Sequence, residues 1–118
     1  IIDVMTVGPV HPGPKGMERV EWNPATNEFS SVWTRNDVVS TSMVPLVTSG
    51  SNMVLVNGYT AERGWEITGL DWNTGKNRTR VEFGHTNRGN GAYAILQLFE
   101  NGDLLFNSVI GPYRIPLK

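Results

Sequence analysis

Cysteine is absent from this chain, which excludes disulfides, thiol nucleophiles and cysteine-ligated metal centres. It says little about compartment. An excess of charge of one sign is also lacking. The formal net charge is −1, too small for a long-range pull on nucleic acid or anionic lipid, and neither is expected as a partner. No apolar run approaches the roughly 20 residues of a membrane-spanning helix. The only histidines are His11 and His85, with no local ligand spacing such as His-x-x-x-His, so no metal site is expected. Helical periodicity is hard to find. There is no strand-to-helix glycine loop for phosphate and no Gly-x-Ser-x-Gly elbow. No secretory leader is visible, and the start at Ile1 without Met fits a processed or trimmed polypeptide.

What the chain does contain is the all-β pattern. Short runs of Val, Leu, Ile and aromatics recur between Gly, Asn and Pro punctuation, in a composition that suits an ordered globular segment. Strands are expected over Ile1–Val7, Met17–Asn23, Glu28–Thr34, Ser42–Thr48, Asn52–Asn57, Trp65–Trp72, Arg78–Phe83, Tyr93–Phe99, Asp103–Ile110 and Tyr113–Leu117. Between them lie turn formers such as Ser49-Gly50-Ser51, Asn73-Thr74-Gly75-Lys76 and Asn101-Gly102.

The strands repeat. Glu21-Trp22-Asn23 returns as Asp71-Trp72-Asn73, about 50 residues on, and units of ~40–50 residues with four strands are propeller blades. With blade strands lettered A to D from the axis outward, residues 1–41 read B-C-D, 42–91 read A-B-C-D and 92–118 read A-B-C. The expected fold is therefore a segment of β-propeller: one full antiparallel blade between two partial ones. Pro45 suits an A strand because that strand is the inner edge of its blade. A small self-contained β-sandwich is the alternative, although it requires no internal match of strand order and glycine placement.

Gly69-Leu70-Asp71-Trp72-Asn73-Thr74-Gly75-Lys76 resembles the Ala-Leu-Asp-x-x-Thr-Gly-Lys turn of quinoprotein-like propellers, the PQQ-like repeats of exported bacterial proteins. That resemblance implies a C-to-D turn shaped by the Asp, Thr and Gly, and a Trp three residues after the Lys docked on the neighbouring blade. Here Thr79 stands at the Trp position and Gly69 replaces the Ala, while Trp33 is a candidate docking aromatic of the first copy. The resemblance also implies a secreted or periplasmic protein. Given these departures, no cofactor is expected, and PQQ and Ca²⁺ are disfavoured.

In a blade the B-to-C and D-to-A loops share one rim, and the polar and ionisable loop residues of this chain are concentrated there rather than on the opposite rim. His85 and Arg88 are the candidate catalytic pair, a titratable imidazole beside a fixed cation. Asn87, Asn90, Arg35, Asn36 and Asp37 are the candidate ligand-binding set, offering amide donors and an anion clamp. The plainer reading makes the Asn and Gly residues turn formers, leaves Arg88 in solvent and gives His85 a local bond. The four tryptophans are expected to pack between blades. The chain is thus expected to be the C-terminal part of an extracytoplasmic propeller that binds a small polar ligand or a partner, completed by a second polypeptide or the remainder of a precursor. The alternative is an oxidoreductase, lyase or hydrolase with its site on the axial rim.

Overall fold

The computed structural model describes residues 15–41, 43–92 and 94–117. The strand expected over Ile1–Val7 lies outside them, as do His11 and Tyr93. The described residues form three antiparallel sheets and no α-helix. The first sheet pairs β1 (Met17–Asn23) with β2 (Glu28–Arg35). The central sheet runs in order β3 (Leu46–Thr48), β4 (Met53–Thr60), β5 (Gly64–Asp71) and β6 (Asn77–Gly84). The third sheet joins β7 (Gln97–Leu98), β8 (Leu104–Asn107) and β9 (Pro112–Ile115).

Several ends differ from expectation for identifiable reasons. β3 begins only at Leu46, because Pro45 has no N–H to give the ladder. β7 begins late because the chain is still turning at Ala92 (φ 40°), where the Ala94 N–H bonds the Gly91 carbonyl at 2.9 Å. β8 ends at Asn107, after which Ser108 and Gly111 exchange backbone bonds of 3.0 and 3.2 Å. β4 runs three residues past Asn57, pairing Gly58, Tyr59 and Thr60 with Glu66, Trp65 and Gly64.

The first and central sheets share a detailed register. In β1 and β2 the pairing slips between Arg19 and Val20, with Arg19 opposite Trp33 and Val20 opposite Ser31. In β5 and β6 it slips between Gly69 and Leu70, with Gly69 opposite Thr79 and Leu70 opposite Asn77. Arg19 lies two residues before Glu21, and Gly69 two before Asp71, so the irregularity recurs at one place in the two units. The turns agree as well: Asn27 (φ 53°) and Gly75 (φ 71°) both occupy the left-handed region before the outer strand, which Asn tolerates and Gly favours. Between the central and third sheets, Val44 and Ile95 form an isolated parallel bridge, so the two inner strands start side by side in the same direction.

The sheets stack on alternating residues. Val54, Val56 and Leu70 face the first sheet and form one core with Trp33 and Val38. Leu55 and Ile67 face the third sheet and form the other with Met43, Leu96, Leu104 and Phe106. β4 and β5 are buried on both faces along nearly their whole length, and β4 meets this with the apolar run Met53–Val56. The far face of the first sheet is open. Val20, Trp22, Phe29 and Val32 are exposed there, and Trp22 and Phe29 pair across the strands with ring centres 4.9 Å apart.

Candidate functional site

The loop from His85 to Gly91 is built from its turn chemistry upward. The Thr86 side chain accepts from the Arg88 N–H at 3.4 Å, and Asn87–Gly89 form a single 3-10 turn, closed by the Asn90 N–H on the Asn87 carbonyl at 3.0 Å. Asn90 Oδ1 accepts from the Ala92 N–H at 2.9 Å, and its carbonyl from the Val109 N–H at 2.9 Å. Gly89 is buried so tightly that a Cβ there would lie 2.5 Å from Trp65 Cβ.

The brace of this loop is Asn57, which is fully buried. Its Nδ2 donates to the Gly89 carbonyl at 2.9 Å and to the Glu66 carbonyl at 3.0 Å, and its Oδ1 accepts from the Gly91 N–H at 2.9 Å. A polar side chain is tolerable at such depth because these bonds replace its hydration. The loop is therefore held from beneath, while His85 and Arg88 are exposed on its outer side.

His85 bonds across to another loop and not locally. Its Nε2 lies 2.9 Å from the Ala61 carbonyl, on the connection between β4 and β5. A carbonyl only accepts, so Nε2 carries the proton and Nδ1 is the remaining basic nitrogen. The ring stands edge-on to Tyr59 at 5.9 Å, and Tyr59 stands edge-on to Trp65 at 5.3 Å. Trp65 Nε1 is buried and has no protein acceptor among the described residues.

Arg35 and Asp37 belong to a different junction, between the first and central sheets. Arg35 Nε and Nη2 clamp the two Asp37 oxygens at 2.8 and 2.7 Å. Its Nη1 reaches across to the Gly75 carbonyl at 2.7 Å and to Asn77 Oδ1 at 2.9 Å. The bonds from Arg35, helped by the more distant Arg80, pull the Asp37 carboxyl down to about 2, and the same pairing raises Arg35. Asn36 is exposed between the two. The fold thus brings Asn87, Arg88 and Asn90 together just after His85, and separately joins Arg35 to Asp37.

Two groups here were not legible as site residues in the sequence. One is Asn57, which sits inside an apolar run and reads as a strand end. The other is Glu66, buried at 4% exposure, whose carboxylate takes Arg63 Nε at 2.9 Å and Arg63 Nη2 at 3.1 Å, with Arg80 Nε at 3.5 Å. Those bonds raise the Arg63 guanidinium further above its ordinary value. Arg80 thereby lies between Glu66 and the Asp37 carboxylate that it stabilises. Among the described residues, no cluster of three or more His, Cys, Asp or Glu groups suited to a metal ion comes together.

The opposite ends of the strands carry the turns. Asp71 Oδ1 accepts from the N–H groups of Thr74 (2.9 Å) and Asn73 (3.0 Å) and from Thr74 Oγ1 (3.0 Å), which together with Arg78 holds its carboxyl below the usual range, the Thr74 N–H contributing most. Trp33 of the first sheet docks onto this turn. Its Nε1 donates to the Trp72 carbonyl at 2.8 Å, and its ring lies so close over Gly75 that a Cβ there would be 2.7 Å from it. A cavity of about 290 Å³ lies at the corresponding junction of the central and third sheets, walled by Ser51, Met53, Arg78, Thr79, Leu98 and Leu117 with the Asn101-Gly102 turn.

No family model, curated protein or solved structure matches the chain.

Proposed function

We propose that the chain is part of a β-propeller of quinoprotein-like type that acts as a ligand- or partner-binding module, with its ring completed by another chain or by more of the same protein. One observation carries this reading: the docking of Trp33 on Gly75 and the Trp72 carbonyl, at the register position where the next unit holds Thr79. Sheets that repeat one register, with the same slip two residues before the acidic turn residue, and that stack in the same sense close into a ring when enough of them are present. The apolar outer face of the first sheet is then the seat of a preceding blade. The binding rim is the His85–Gly91 loop, where the exposed Arg88 and the His85 imidazole stand on a base fixed by Asn57. Placement outside the cytoplasm follows from the resemblance; among the described residues no helix is long and apolar enough to cross a membrane.

The intact mass of the native particle tests the proposal. A particle that contains this chain with about 200–300 further residues, the complement of a six- to eight-bladed ring, is expected. A folded, cooperative particle with the mass of the 118-residue chain alone overturns it.

A further inference from the structure

The cavity between the central and third sheets has a counterpart that explains its shape. Trp33 and Thr79 are equivalent positions: each is opposite the residue two before the acidic turn residue, and each directly follows the same slip in register along its own strand. Each also faces the next sheet, Trp33 toward the Val54 and Leu70 core and Thr79 into the cavity. At the first junction an indole fills the space, buried to 9% exposure, with its N–H on a carbonyl and Arg19 stacked 4.7 Å from the neighbouring Trp72 ring. At the second junction a threonine stands in its place and about 290 Å³ is left open.

We propose that this cavity is a binding site for a small planar aromatic molecule bearing an N–H donor, of the indole class. Its volume is ample, since an apolar cavity of about 150 Å³ already takes up benzene. Its walls suit that chemistry. Met53, Leu98 and Leu117 supply apolar surface, and Ser51, Thr79 and Asn101 are polar lining residues whose oxygens each hold more than one lone pair. The Ser51 hydroxyl is shared with Thr48, and Asn101 Oδ1 accepts from the Asp103 N–H at 3.1 Å. Arg78, paired with Asp71 at 3.2 Å, supplies a guanidinium, the cation that stacks on aromatic faces. The site consists of residues of this chain, so it does not rest on completion of a ring. It is also separate from the His85–Gly91 loop, which lines none of it.

Titration of the native particle, with this chain ¹⁵N-labelled, with free indole, followed by ¹H–¹⁵N correlation spectra, tests the assignment. Saturable shifts are expected at Ser51, Thr79, Leu98 and Gly102, with the His85–Gly91 amides unmoved. Thr79→Trp places an indole in the cavity from within and is expected to weaken the titration by about tenfold or more, a loss of ~1.4 kcal/mol. Should that variant fail to fold, Ser51→Phe blocks the cavity from the opposite wall and is expected to do the same. Absence of saturable shifts, or undiminished binding in a folded blocked variant, overturns the proposal. So does binding of N-acetyl-tryptophanamide without binding of free indole, which marks a site for a protein side chain.

Discussion

Trp33 shows how much one side chain contributes here. Its ring closes the junction over Gly75, and its N–H satisfies a carbonyl that the turn leaves pointing outward. Trp33→Phe keeps most of the ring and loses the bond, and is expected to cost about 1 kcal/mol. Trp33→Ala also loses the packing, and is expected to cost about 3–5 kcal/mol in urea unfolding. Equal costs for the two variants would show that the ring does not act as a dock. Asp37 gives a pH signature. Its carboxyl titrates at about 2 in the folded chain, below its unfolded value, so the Arg35–Asp37 pair stabilises fully above ordinary carboxylate pH and is lost as pH falls toward 2. Because the pair is exposed, the effect is small, under ~1 kcal/mol. A carboxyl ¹³C titration centred near 4 would refute it, and Asp37→Asn is expected to remove the acid-side difference.

At the scale of elements, β4 and the loop above it depend on each other. Asn57→Ala leaves the Gly89 and Glu66 carbonyls and the Gly91 N–H without their partner, and is expected to cost about 2–4 kcal/mol and to speed exchange of the Gly91 amide. An unchanged Gly91 exchange rate would separate the loop from its brace. Gly58→Ala is expected to be worse tolerated than most surface changes, since a Cβ there would lie 2.0 Å from the Val39 carbonyl, a backbone atom with little room to yield. Thermal unfolding of Gly58→Ala at the wild-type temperature would contradict that. These two residues also mark the limit of what was legible beforehand. The strands of the first and central sheets could be read from apolar runs and turn residues, but not the late start of β3, because Pro45 reads as tolerable within an inner-edge strand. The extension of β4 could not, because Asn57 and Gly58 look like punctuation until the 89–91 loop satisfies one and Val39 crowds the other. Of the site, the turn formers were readable as local chemistry, whereas the His85 bond reaches Ala61 on another connection and was not. The contact of Arg35 with Gly75 was not, since it spans two sheets.

At the scale of the whole molecule, the described sheets are arranged side by side and not around one centre. The radius of gyration is 15.1 Å, against ~13.5 Å for a compact domain of this length. There are two cores, one on each face of the central sheet. The outer apolar face of the first sheet is the natural place for association. Trp22→Lys with Phe29→Glu is expected to abolish association through that face in sedimentation velocity, at a stability cost below ~1.5 kcal/mol, the size of an exposed aromatic pair. Association that survives the double variant would locate the contact elsewhere.

The alternation along β4 has a consequence for how the two ends of the molecule communicate. Val54 and Val56 press on the first sheet, while Leu55 presses on the third and Asn57 holds the loop. They are consecutive residues of one strand, so the packing on both faces bears on the same backbone. A cover laid over Trp22 and Phe29 quiets the first sheet, and through it the backbone from which Asn57 reaches the loop. The entropy lost there is entropy that a ligand at His85 and Arg88 no longer has to remove. Coupling of this kind runs both ways, so in the proposed module a ligand on the rim would tighten the grip on a partner that it never touches.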